Sequence, residues 1–161
     1  MMLIMRDTTP CGICNRPLKH GDAITAFPSI VVNENDPLYQ FNESAFHREC
    51  FESHPLAEEA MERIREWEAK ITPAHMCYLC GQRITNPDDH YIFPDTTRDH
   101  GSPFFEYNFA ECHRECLRKW EMSPRILAHM KELRASGQWK GIGVDWAIAD
   151  LEAILAARDA T

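Results

Sequence analysis

Four residue types that bind soft or borderline metals occur twice in this chain at the same spacing. Cys11-x2-Cys14 is followed by His47-x2-Cys50, and 66 positions later Cys77-x2-Cys80 is followed by His113-x2-Cys116. Three thiolates and one imidazole are the donor set of a closed, tetrahedral structural zinc site. The expectation is two structural Zn2+ ions per chain, held by Cys11, Cys14, His47 and Cys50 and by Cys77, Cys80, His113 and Cys116. Six of the 7 cysteines are used in this way. Disulfides would leave unexplained why a histidine recurs in the same place in both copies.

The repeat reaches beyond the ligands. The same shift matches Asp22 with Asp88, Phe27 with Phe93, Pro28 with Pro94, Pro37 with Pro103 and Asn42 with Asn108. It also matches Arg48 with Arg114 and Glu49 with Glu115. With the four ligands, that is eleven identities between residues 11–50 and 77–116. Ordinary residue usage would give about two or three. The chain therefore reads as a duplicated unit, with a first repeat and its following helix over 1–72 and a second repeat with two following helices over 73–161.

Each repeat spans only 40 residues from first to last ligand. That is near the size at which an apolar core alone seldom suffices and a metal is usually needed. The formal net charge is −8. Three thiolates and one Zn2+ leave each site at −1, which takes the chain to about −10. Such a protein gains little from the phosphate attraction that dominates nucleic-acid affinity. Met1 to Met5 is apolar but too short for a secretory core, and Arg6 and Asp7 follow at once. No run approaches the ~20 apolar residues of a membrane span. A reducing, cytoplasmic setting is expected.

The elements that must carry the ligands can be sketched from the pattern. Asn15 and Gly81 follow the second cysteine of each pair, and both types tolerate the left-handed backbone of a tight knuckle. Short strands are expected at 23–27, 30–32 and 38–41, with counterparts at 91–93 and 104–107. His47 with Cys50, and His113 with Cys116, are expected in the first turn of a helix, where residues three apart share a face. Helices are expected at 55–70, with Leu56, Ala60, Ile64 and Trp67 on one stripe, and at 124–136, with Ile126, Leu127, Met130 and Leu133. A last helix is expected over 145–158, burying Val144, Ala147, Ile148, Leu151, Ile154 and Leu155 and leaving Trp146 nearly opposite that stripe. Trp146 then either folds back over the 138–143 loop or stands exposed as an interface anchor.

A Cys-x2-Cys knuckle, a β-hairpin and a helix that supplies two further ligands resemble the treble-clef zinc fold. "FHRECF" around His47 and "CHRECL" around His113 resemble the His-x2-Cys half-sites of LIM and RING domains. The resemblance covers 11–52 and 77–118, and it implies an α+β fold of two duplicated small zinc-binding treble-clef units with additional C-terminal helices. LIM domains place their next cysteine pair almost directly after His-x2-Cys, and RING domains interleave their ligands. Here 26 residues separate Cys50 from Cys77, which suits two sequential sites.

With every ligand position filled by protein, neither metal keeps the open position of catalytic zinc. No phosphate loop, dinucleotide fingerprint or nucleophile–base motif is present. The expected function is a non-enzymatic, zinc-stabilised intracellular protein-interaction module: an adaptor, regulator or inhibitor. Zinc-dependent nucleic-acid binding is the alternative. An HNH-type nuclease is a weaker one, motivated by Asp99-His100 followed by Asn108 and a cysteine pair. Against it, Asn108 recurs as Asn42, which suggests a structural turn role. Cys112 replaces Phe46 and is expected to be a small buried apolar residue. His20, His54, His75, His90, His100 and His129 have no repeated partner, and most are expected at the surface. His90 and His100, near Asp88, Asp89 and Asp99, carry the competing enzymatic reading.

Overall fold

The computed structural model describes residues 4–71 and 73–157. The chain forms two compact units, Met1–Val31 with Asp36–Trp67, and Val32–Asn35 with Glu68–Thr161. It is mixed helix and small antiparallel sheet. Strand β1 (Ile24–Ala26) pairs with β2 (Ala45–His47), which runs straight into helix α1 (Arg48–Glu52) and then α2 (Ala57–Lys70). In the second copy β3 (His90–Ile92) pairs with β4 (Glu111–His113), followed by α3 (Arg114–Lys119), α4 (Ser123–Ala135) and α5 (Ile142–Ala156).

The duplication holds at the level of single hydrogen bonds. Ile24 faces His47 across the first pair, and His90 faces His113 across the second. The knuckle flanks bridge at Pro10 to Pro17 and at Met76 to Arg83. The Gly12 amide donates to the Ala45 carbonyl, and the Tyr78 amide to that of Glu111. Asn42 accepts from the amides of Ile30 and Val31 and donates to the Val31 carbonyl. Asn108 accepts from the Thr96 amide and donates to the Thr97 carbonyl. The asparagine that recurs is thus a brace for the loop between the strands, as its repetition suggested.

Three sequence expectations for the strands are corrected: 38–41, 104–107 and 30–32. Residues 38–41 form a 3-10 turn, Pro37–Phe41, not a strand. Pro37 has no amide to give a ladder, and Asp36 caps the turn by accepting from the Leu38 amide at 2.8 Å. Its counterpart is the 3-10 turn Phe105–Tyr107. Ile30 and Val31 are buried, but their amides bind the Asn42 side chain instead of a strand. The strand that partners β1 is the segment leading into the helix, so the pair closes a wide loop and not a tight hairpin.

Unit 1 packs around Phe27, Phe41, Phe46 and Phe51, with ring centroids 5.0–6.2 Å apart. Ala60 and Ile64 of α2 join this core, and Trp67 lies against it. In unit 2, Tyr91, Phe93, Cys112 and Leu117 pack with Ile126 and Met130 of α4 and with Val144, Ile148, Leu151 and Ile154 of α5. The buried stripe of α5 is the expected one. The helix begins at Ile142, about a turn before Asp145, because Asp145 is held by Arg134 of α4 and not used as a cap. Gly141 precedes it at φ 122°, where a Cβ would also meet the Glu34 side chain at 2.8 Å. The expected end of that helix at Arg158 lies outside the described residues.

The segment Val32–Asn35, although it belongs to the first repeat in sequence, is part of unit 2. The Glu34 amide donates to the Lys140 carbonyl at 2.8 Å, and Asn33 and Asn35 bind the backbone of Gln138 and Gly137. Among the described residues no helix is long and apolar enough to cross a membrane.

Candidate metal centres

The structure brings each predicted ligand set together. In both sets the donor atoms lie within 4.8 Å of one another. His47 Nδ1 is 3.4 Å from Cys14 Sγ and 4.0 Å from Cys50 Sγ. His113 Nδ1 is 3.4 Å from Cys80 Sγ and 3.9 Å from Cys116 Sγ. A tetrahedral zinc with ordinary Zn–S and Zn–N lengths puts neighbouring donors about 3.5–3.8 Å apart. The observed edges, 3.4–4.0 Å, lie within about 0.2 Å of that range on either side.

Each candidate ligand owes its position to a local feature. In the knuckles the Asn15 amide returns to the Cys11 carbonyl and the Gly81 amide to that of Cys77, both at 2.9 Å. Asn15 and Gly81 take φ of 58° and 68°, the left-handed backbone expected of them. The histidines sit one residue outside the helices instead of in their first turn. His47 ends β2 and His113 ends β4, both extended, and Cys50 and Cys116 follow in the third position of α1 and α3.

Outer contacts complete the first site. His47 Nε2 lies 3.2 Å from Asp22 Oδ2, which is itself fixed by the Lys19 amide at 2.6 Å. A carboxylate on the far ring nitrogen sets the tautomer and leaves Nδ1 as the ligand atom. The Arg16 guanidinium donates to Cys14 Sγ at 3.5 Å and holds that thiol down at about 6. In the second site burial raises Cys77, but the amides of His113, Cys80 and Leu79 outweigh it and bring the thiol to about 6. Burial, with Cys80 and Cys77 alongside, pushes Cys116 up to about 12. Three sulfurs that converge in this way repel as thiolates unless a cation sits among them, and a coordinated thiol is deprotonated outright.

Cys112 takes no part in the set. It is fully buried in the apolar core, and burial drives its thiol far above the ordinary range. Trp146 is 68% exposed, so it does not fold back over the 138–143 loop. Ile142 is 63% exposed one turn earlier on the same face of α5. Beside Trp146, a shallow depression is lined by Pro87, Tyr91, Ile92 and Asp150.

Three histidines depart from the expectation of plain surface residues. His129 stacks on Phe104 at 4.0 Å between centroids. His75 and His90 both approach Glu111, a residue the sequence did not single out. The only sequence signal for Glu111 is its contrast with Ala45 at the same place in the first copy. The chain matches no known protein family, no curated protein and no solved structure.

Proposed function

We propose that this is a zinc-stabilised protein-interaction module, an intracellular adaptor, regulator or inhibitor, built on two treble-clef-like units. Zn2+ is the ion favoured for both Cys3His sets, because three thiolates and an imidazole select it over harder cations. Four protein donors close each set, so the two ions act structurally and not as catalysts. The observation that carries the interaction reading is the exposed pair Ile142 and Trp146 on α5, next to Ile92 of β3, which is 40% exposed. A large aromatic standing free on a rigid helix is the usual anchor of a protein interface. With a formal charge of −8, the partner expected is a basic protein offering an apolar pocket.

Nucleic-acid binding remains the second reading, supported by the depression beside the first metal set, where Arg16, Lys19 and Arg48 gather. Asp22 and Glu49 line the same depression and oppose a phosphate backbone. The HNH reading ranks last. The Asn108 amide is spent on the backbone of Thr96 and Thr97, and His100 lies against the Phe105 ring at 4.1 Å.

The test is affinity purification from the native host, with wild type and Trp146→Ala, before and after nuclease treatment. The interaction reading expects a partner that survives nuclease and is lost from Trp146→Ala. The variant should keep its thermal stability to within about 0.5 kcal/mol, as an exposed substitution does. Partners that vanish on nuclease treatment, whatever stands at 146, would favour nucleic acid.

A further inference from the structure

Unit 2 holds another cluster of metal-ligating side chains, separate from the Cys3His set. His75, His90 and Glu111 present donor atoms that lie within 4.8 Å of one another. They come from three segments: the loop before the Cys77 knuckle, the start of β3 and the start of β4. The Glu111 side chain is fully buried, with Oε1 2.7 Å from His75 Nδ1 and 3.0 Å from His90 Nε2. Its other oxygen, Oε2, is buried with no hydrogen-bond partner, and so is His90 Nε2, which approaches Oε1 outside hydrogen-bond geometry.

A plain hydrogen-bonded triad accounts poorly for this arrangement. It leaves a carboxylate oxygen and an imidazole nitrogen buried and unsatisfied, which is costly. The repeat shows in addition that the zinc-binding unit does not need these residues. At the same places the first copy carries Thr9, Ile24 and Ala45, none of which is a carboxylate or an imidazole. The second copy carries three donors at positions where the first does without them.

The geometry points to a third metal site, a two-histidine, one-carboxylate set for a divalent first-row transition ion. Two imidazoles and one carboxylate suit such an ion better than Mg2+ or Ca2+, which prefer oxygen throughout. Metal–donor lengths of about 2.0–2.2 Å place neighbouring donors about 2.8–3.1 Å apart in octahedral and about 3.3–3.6 Å apart in tetrahedral coordination. The two measured separations, 2.7 and 3.0 Å, need only a small opening to admit the ion. Three protein donors leave a coordination position free, and the His75 side chain, 46% exposed, borders solvent there. Unlike the closed Cys3His sets, this site retains room for water or an incoming ligand.

Co2+ is the probe, because thiolate ligation gives a sulfur-to-cobalt charge-transfer band and nitrogen–oxygen ligation does not. The full chain is loaded with excess Co2+ and its bound ions are counted by native mass spectrometry. Wild type should hold three, with charge-transfer intensity for two thiolate sites. His75→Asn and His90→Ile should each hold two, with that band unchanged. Asn suits the φ of 48° at His75, and Ile is the residue of the first copy at His90. Two ions in wild type, or three in either variant, would overturn the third site. A failure of the Cys3His reading shows separately, as a missing charge-transfer band.

Discussion

At the scale of single residues, the two copies differ by a compensated exchange. In the first, Gly12 leaves room for Phe46, whose ring would lie 2.6 Å from a Cβ at that position. In the second, the corresponding residues are Tyr78 and Cys112. A side chain at 78 is tolerated because 112 is small. This explains the odd cysteine as packing, with no need for redox or metal chemistry. Cys112→Phe should therefore overpack unit 2 and destabilise it by about 1–3 kcal/mol, while Cys112→Ala should cost less. Denaturant melts of the two variants give the comparison, and equal stability would refute the exchange. Asp22 makes a second residue-scale prediction. Asp22→Asn removes the charge behind His47 Nε2 and should weaken the first site by about 10–100-fold. Chelator competition reads this as one ion released early while the second stays.

The elements that matter most here are short, and each is held by a specific polar contact. Strands of three residues have little ladder of their own. The loop that joins them is tied by Asn42 in one copy and Asn108 in the other. Asn108 is buried, with 3% exposure. Asn108→Ala strands two backbone groups and should cost unit 2 about 2–6 kcal/mol, from roughly 1–3 kcal/mol per unsatisfied group. Asn108→Asp should recover less than half of this, since it keeps the acceptor and loses the donor. Thermal melts that leave both variants at wild-type stability would remove Asn108 from this role. The helices after the ligands diverge more than the knuckles. Ile64 of α2 and Met130 of α4 occupy matching core positions, yet α5 has no counterpart in the first copy.

For the whole molecule, the balance is between two small apolar cores and the two Cys3His clusters that could hold metal. Structural zinc contributes an apparent ~10–16 kcal/mol in finger peptides, comparable to the ~5–15 kcal/mol of an entire domain. Chelation should therefore unfold the chain, followed as loss of far-ultraviolet helix signal, and Zn2+ should restore it. Cys14→Ser should loosen unit 1 more than unit 2, and Cys80→Ser the reverse. Hydrogen exchange resolved by segment distinguishes them; if either variant opened both units equally, they would form a single cooperative block.

The sequence by itself determined the two Cys3His clusters, the left-handed residues of both knuckles and the buried stripe of α5. These follow from spacing and residue type, because a metal imposes its donor set locally and a helix imposes its period. The wide pairing of β1 with β2 was not legible there, nor was the 3-10 turn at Pro37–Phe41. Both depend on which backbone groups Asn42 and Asp36 claim first. Tertiary structure alone decided the exposure of Trp146 and the meeting of His75, His90 and Glu111. These three lie 15 and 21 positions apart along the chain, so no local pattern joins them. Only the pairing of β3 with β4 and the turn at His75 bring them together.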